Sequence, residues 1–243
     1  MYTNPLIFFI QLCRACFRRP FFFSEIWKQI CIIGADSLPL ISTAAAAVGM
    51  VLGFQTGSTL ARFGAQKYLA AIVGLSMVRE LGPVITALLV ASRSGSGIAA
   101  EIGSMKVTQQ IDALRVSAIP PLNYLAVPRT LACIICLPLL TVIADVIGIV
   151  AGGIVSVIMG LSTARWYAKV TGQFIEFVDF FPGLIKAFFF GLIITVVATY
   201  FGFNTKRGTQ SVGKSTTAAV VTASLGILLS DVFLTRILLL FFE

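Results

Sequence analysis

The stretch Leu69–Ala91, LAAIVGLSMVRELGPVITALLVA, decides the fold. A helix needs about 20 mostly apolar residues to cross a hydrocarbon core, where the backbone must satisfy its own hydrogen bonds. This stretch has the length, and only the dipeptide Arg79-Glu80 interrupts its apolar character. Working outward, four further windows meet the same test: Leu38–Ala61, Thr130–Met159, Pro182–Phe201 and Thr217–Leu240. The chain therefore reads as an all-α integral membrane protein with about five transmembrane helices. The third window is long enough to tilt, or to contain a break near Gly152-Gly153.

Composition supports that solvent. The 243 residues are 58% hydrophobic and 12% charged, with a mean hydropathy of +0.97. A soluble domain of this size would expose large apolar patches. The net charge of +8 comes without a Lys/Arg-rich tract, so it reads as basic loops beside membrane helices and not as a nucleic-acid surface. There is no histidine, which removes Ser–His and Cys–His pairs, zinc helices of the HExxH type and histidine proton relays. Cys13/Cys16 and Cys133/Cys136 have CxxC spacing, but both pairs sit in apolar helical stretches and read as small apolar residues, with no metal site expected.

Two organisational units are expected: an N-terminal amphipathic segment over 1–35 and a transmembrane domain over 36–243. Leu6–Ile33 is apolar but interrupted by Arg14, Arg18, Arg19 and Lys28, the pattern of a helix lying in the membrane interface, with a sixth span as the alternative. Its basic residues follow the apolar core, unlike those of a secretory signal. With the N-terminus inside, cytoplasmic segments hold ten basic residues (Arg14, Arg18, Arg19, Lys28, Lys106, Arg115, Arg129, Lys206, Arg207, Lys214). The outer segments hold five (Arg62, Lys67, Arg165, Lys169, Lys186), which favours a cytoplasmic N-terminus and an external C-terminus.

The connection after the second span carries its own pattern. Val107, Ile111, Leu114 and Ala118 recur at helical spacing, which predicts one short amphipathic helix over Glu101–Ala118, ended by Pro120-Pro121. Lys106, Gln109, Gln110, Asp112 and Arg115 take its other faces. Such a helix can lie on lipid, pack on its own bundle or enter a partner's groove.

Two motifs mislead. Gly208–Ser215 matches GxxxxGK[ST], yet apolar spans precede and follow it where a phosphate-binding loop needs a strand and then a helix. It reads as a basic connecting loop, with Ser215, Thr216 and Thr217 opening the last span and no nucleotide bound. The run Ser92–Gly97 resembles a serine-hydrolase motif, but Ser94 and Ser96 have no obvious base. Charges within spans usually face an interior. Arg79-Glu80, beside a proline that frees a backbone carbonyl, marks either a headgroup site or an ion-pair network between helices. Asp145, Asp231 and Arg236 are further candidates.

The segment Arg79-Glu80-Leu81-Gly82-Pro83-Val84, followed by Ala91–Ser96, resembles the MlaE/YrbE family of ABC transporter permeases. The similarity is most specific over Ala100–Leu114 and continues through Pro128-Arg129, Leu137-Pro138, Gly148 and Gly213–Ala218. The resemblance implies a homodimeric permease that binds no cofactor itself. It implies two cytoplasmic ATPase subunits that take ATP and Mg, an MCE-domain lipid carrier on the other face and, in some systems, a STAS-domain subunit. It implies phospholipid as cargo, the inner membrane of a bacterium with an outer membrane (or a plastid envelope) as location, and an interfacial N-terminal helix ahead of five spans. By that analogy Glu101, Lys106, Gln110, Asp112 and Arg115 belong to a coupling helix docked in the ATPase. Arg79 would meet the lipid phosphate, with Glu80 positioning Arg79. Two other classes compete: an ion-coupled secondary transporter using Glu80, Asp145 and Asp231, and an intramembrane hydrolase using Ser94 or Ser96.

Overall fold

The computed structural model describes residues 4–16, 22–206 and 208–242, and every regular element among them is helical. Arg18, Arg19 and Arg207, which entered the sequence reading, lie outside the described residues. In chain order the helices are α1 (Pro5–Cys16), α2 (Phe23–Ile33), α3 (Leu38–Arg62), α4 (Leu69–Ser76), α5 (Gly82–Val90) and α6 (Ser96–Val107). They continue as α7 (Gln110–Val116), α8 (Val127–Ile158), α9 (Ala164–Phe174), α10 (Phe177–Phe203) and α11 (Thr209–Phe242). Single π-helical turns, Met77–Leu81, Ala91–Gly95 and Leu122–Ala126, join α4 to α5, join α5 to α6 and lead into α8.

Five runs are long and apolar enough to cross a membrane: Phe23–Arg62, Gln66–Val107, Leu122–Ile158, Phe177–Phe203 and Thr209–Phe241. They match the five expected windows, the third ending one residue earlier, so the span count stands. The shorter apolar helix α1 has 12 residues, about 18 Å at 1.5 Å per residue, too short to cross.

Four local expectations change. The helix expected over Glu101–Ala118 is two helices: Glu101–Val107 is the tail of the second span, and Gln109, at φ 61°, turns the chain into α7. Along the expected stripe Ile111 is buried, Val107 and Leu114 are half-buried, and Ala118 is exposed at φ 58°. Helical spacing cannot register a left-handed residue that costs about 1–2 kcal/mol and reverses the path. Second, α8 runs unbroken past Gly152-Gly153, because these glycines are contact points. A Cβ at Gly152 would stand 2.8 Å from Val73, and one at Gly153 2.9 Å from the Tyr167 ring. Third, α9 was not anticipated; Thr163 caps it by accepting the Trp166 N–H. Fourth, the last span begins at Thr209, not at Ser215–Thr217.

The chain clusters into two compact units. One comprises Leu38–Thr86, Pro138–Ala187 and Leu234–Glu243. Within it α3 buries Ile41, Ala45, Gly49, Gly53 and Gly57, a stripe at every fourth residue. That stripe meets α8 so closely that a Cβ at Gly49 would collide with the Gly148 backbone, while one at Gly53 would stand 3.1 Å from the Gly152 carbonyl. In lipid, where tails are as apolar as leucine, such small-residue seams hold helices together by close backbone packing. Ala70, Tyr167 and Val170 pack with Ile149 and Trp166, and the Tyr167 hydroxyl donates to the Ile149 carbonyl at 3.3 Å.

The other unit comprises Met1–Ser37, Ala87–Leu137 and Phe188–Phe233. Here α1 is anchored by Phe8, fully buried against Tyr200 and Phe203. The Cys136 thiol donates to the Ile30 carbonyl of α2. All five cysteines are free thiols, and burial, with Cys13 adding to it, pushes the Cys16 thiol up to about 11. Gly191 lets α10 approach the backbone at Cys133, and Gly202 lets it approach Ile102.

Candidate functional site

In the first unit a cleft of about 310 Å³ is lined by five charged side chains, Arg79, Glu80, Glu176, Asp179 and Lys186. Thr235, Pro182 and apolar residues including Leu75, Phe174 and Leu238 complete its walls. The local sequence builds it. The π turn Met77–Leu81 closes with the Gly82 N–H donating to the Met77 carbonyl. Pro83 has no N–H for the carbonyl four residues back, that of Arg79. Opposite, Gly183 lets α10 come against the Val78 carbonyl and the Pro83 ring. Asp179 and Lys186 stand one turn before and one turn after Gly183, on the same face of α10.

That placement divides the Arg79-Glu80 dipeptide between two partners. Arg79 donates through Nε (3.1 Å) and Nη2 (2.5 Å) to Asp179 Oδ1. Asp179 Oδ2 accepts the Glu176 N–H at 2.9 Å, so this carboxylate also caps the start of α10. Lys186 donates to Glu80 Oε2 at 2.5 Å, to Thr235 Oγ1 at 2.7 Å and to the Arg79 carbonyl at 3.3 Å. The Lys186 side chain is 1% exposed, whereas those of Arg79 and Glu80 are 42% and 43% exposed. The expectation that Glu80 positions Arg79 is corrected. Neighbours on a helical turn point in different directions, and each finds an opposite charge on α10.

Of the two readings of the dipeptide, the geometry contains the ion-pair network. An ion-pair network ties α10 to the π turn, and the exposed part of the Arg79 guanidinium still lines a cleft. Sequence reasoning missed Asp179 altogether and placed Lys186 at a loop edge. The available signal was their seven-residue spacing about Gly183, which puts opposite charges on one helical face. A second cleft in this unit, about 670 Å³, is almost wholly apolar and lies between α8 and α9, lined by Val150, Ile154, Ile158, Ala168 and neighbours.

The expected coupling residues lie in the other unit. Asp112 is shared by Lys106 at 3.8 Å and Arg115 at 3.1 Å, and Gln110 is exposed at the start of α7. Glu101 is not with them; it bridges at 2.7 Å to Arg129, whose side chain is 4% exposed and which also donates to the Leu125 carbonyl. A polar cleft of about 300 Å³ adjoins this group, lined by Lys106, Gln109, Asp112, Thr205, Lys206 and others.

The misleading motifs resolve in the same frame. Gly213, Lys214 and Ser215 lie inside α11, so their N–H groups are committed to the helix and cannot cradle a phosphate. Ser96 donates to the carbonyls of Ser92 and Arg93, and buried Ser94 lies 3.5 Å from Ser37 Oγ.

A family profile described as Permease MlaE matches residues 26–237. The chain is 41% identical over 219 residues to a probable ABC transporter permease protein of Rickettsia typhi, covering 90% of this chain and 85% of that one. It is 38% identical over 212 residues to the intermembrane phospholipid transport system permease protein MlaE of Haemophilus influenzae, covering 87% and 81%. It is 34% identical over 205 residues to the chloroplastic protein trigalactosyldiacylglycerol 1 of Arabidopsis thaliana, covering 84% and 58%.

Proposed function

The chain belongs to the MlaE permease family, and from that premise we propose that it is the membrane-spanning subunit of an ABC transporter. Its cargo is phospholipid, passed between the inner membrane and an MCE-type carrier, in the service of outer-membrane lipid balance. The observation that carries the cargo is the charged cleft lined largely by residues of the spans, where Arg79 and Glu80 are each paired and each still more than a third exposed. Charges in a span are costly and persist where they face a polar ligand or one another.

The cleft has both signs, which suits a zwitterionic headgroup. The exposed Arg79 donors take the phosphate, and Glu80 or Glu176 takes the ammonium. Apolar wall residues such as Leu75, Val178 and Leu239 receive the glycerol end. At about 310 Å³ the space is at the small end of ligand pockets and fits a headgroup, not whole acyl chains.

The working unit is a homodimer with two ATPase subunits that bind ATP and Mg, an MCE-domain carrier and, in some settings, a STAS-domain subunit. The N-terminus is cytoplasmic, the C-terminus faces the carrier, and α1 lies in the interface. The permease itself performs no bond chemistry. Lys106, Asp112, Arg115 and Gln110 around α7 dock in the ATPase. They follow α6, the end of the continuous run Gln66–Val107 that also carries Arg79 and Glu80.

The test is purification in mild detergent with mass spectrometry of what accompanies the chain, then reconstitution with a fluorescent phospholipid. An ABC-type ATPase and an MCE-domain protein should co-purify. Arg79→Gln should cut lipid transfer at least tenfold with the same partners retained. Transfer at the unsubstituted rate removes Arg79 from the site, and a chain without any ATPase after crosslinking in cells returns the question to an ion-coupled carrier.

A further inference from the structure

We propose that Asp145, Thr86 and Thr141 form a buried site for one small monovalent cation, sodium or a bound proton, in the seam between α5 and α8. The seam lies within the first unit, and the inference stands whether or not the charged cleft binds lipid. Three close contacts set its register: Gly152 against Val73, Gly148 against Met77, and Gly82 against Asp145. The numbers fall on one side as they rise on the other, so the helices are antiparallel. One further turn along that register sets Thr86 opposite Thr141. Both are four residues from the Gly82–Asp145 contact, on the same faces.

Every side chain of this group is inside the protein: Thr86 is 0%, Thr141 1% and Asp145 2% exposed. Among the described residues Thr86 Oγ1, Thr141 Oγ1 and Asp145 Oδ1 have no hydrogen-bond partner. For the threonines this is a departure. Thr130, Thr195, Thr199 and Thr216 each donate to the carbonyl one turn earlier, the usual way a helix threonine settles in an apolar setting. Thr86 and Thr141 do not, which leaves two hydroxyls and a carboxylate oxygen without partners on the faces this register sets against each other. Gly82 is required here, because a Cβ at that position would collide with Asp145 Oδ1.

A buried carboxylate with no cationic neighbour must be neutralised. Among the described residues no side chain on the elements packed against it does so. On the π turn Met77–Leu81 the charged residues are Arg79 and Glu80, already paired with Asp179 and Lys186. The α5 helix has none, the other charge on α8 is Arg129, bridged to Glu101, and α3, packed on α8 through Gly49, carries only Arg62 at its end. Hard oxygen ligands, one ionised and two neutral, suit a small cation of charge one.

The experiment follows thermal unfolding of the purified chain in detergent, exchanging sodium chloride for choline chloride at constant ionic strength and varying pH from 5 to 9. If sodium is the occupant, unfolding rises by about 5 °C with sodium at pH 8, in proportion to occupancy. If a proton is the occupant, sodium has no effect and the choline samples lose stability as pH rises. Asp145→Asn removes either response. Thr86→Val with Thr141→Val keeps the acid in place and removes the sodium response alone, a check that holds even where the Asn variant folds poorly. Stability indifferent to both sodium and pH, or a response unchanged in Asp145→Asn, overturns the proposal.

Discussion

Lys186 donates to the backbone carbonyl of Arg79 across 3.3 Å, and Pro83 is the reason that carbonyl is open to it. One proline thus recruits a buried ammonium from another helix, and the ammonium in turn holds Glu80 and Thr235. The charged cleft follows from a helix irregularity, the π turn, with Pro83, which cannot donate, one residue beyond the Gly82 that closes it.

In both buried ion pairs the hidden partner is the cation: Lys186 is 1% exposed and Arg129 4%, against 43% for Glu80 and 56% for Glu101. Removing the carboxylate leaves a buried charge, which costs about 3–5 kcal/mol, while removing the cation lets a half-exposed carboxylate take up water. Glu80→Gln and Glu101→Gln should therefore lower the unfolding temperature more than Lys186→Met and Arg129→Met. Thermal unfolding in detergent reads the order, and equal losses within each pair would contradict it. The double variant Glu80→Gln/Lys186→Met should recover most of the loss.

The α3–α8 seam depends on the absence of side chains. Gly49→Val should destabilise by about 3 kcal/mol or more, because its Cβ meets the Gly148 backbone, which cannot swing aside. Gly97→Ala and Gly172→Ala, with nothing within 4 Å of the added carbon, should stay within about 0.5 kcal/mol. The same unfolding assay distinguishes them.

At α7 a single carboxylate, Asp112, serves two cations. Asp112 and Arg115 are about half exposed and Lys106 partly so, and Asp112→Lys should leave the unfolding temperature nearly unchanged. If the segment couples to the ATPase, the same variant should lower lipid-stimulated ATP hydrolysis several-fold or release the ATPase on purification. Intact coupled turnover would remove α7 from that role.

The Arg79–Asp179 pair makes a prediction about the start of α10. Asp179→Asn loses the ionic partner of Arg79 but can still accept the Glu176 N–H, whereas Asp179→Ala loses both. Asp179→Ala should be the less stable by about 1 kcal/mol. Both should alter phospholipid transfer, since each frees Arg79 to move in the cleft; transfer unaffected by either would separate the pair from transport.

The span count and the polar spot at Arg79-Glu80 were legible in the sequence for a plain reason. Apolar length and charge in an apolar run are properties of a single segment, and a bilayer imposes them on each segment independently. The proline that frees a carbonyl was legible too, because its effect is local. The α9 helix was not, since although its Thr163 cap is local, its packing on Ala70 through Tyr167 depends on another element. The bend at Gln109 escaped because helical spacing on either side of a left-handed residue looks continuous.

What the sequence by itself determined is therefore the solvent, the number of crossings and the sites where polarity enters the membrane. Only the tertiary structure decided which charge meets which. Arg79 and Glu80 are adjacent in sequence, yet a helix turns about 100° per residue, so neighbours face different helices and their partners lie about a hundred residues away. The same holds for Asp145, legible along the chain as a charge within a span, whose place against Gly82 is set only by the antiparallel packing of two helices.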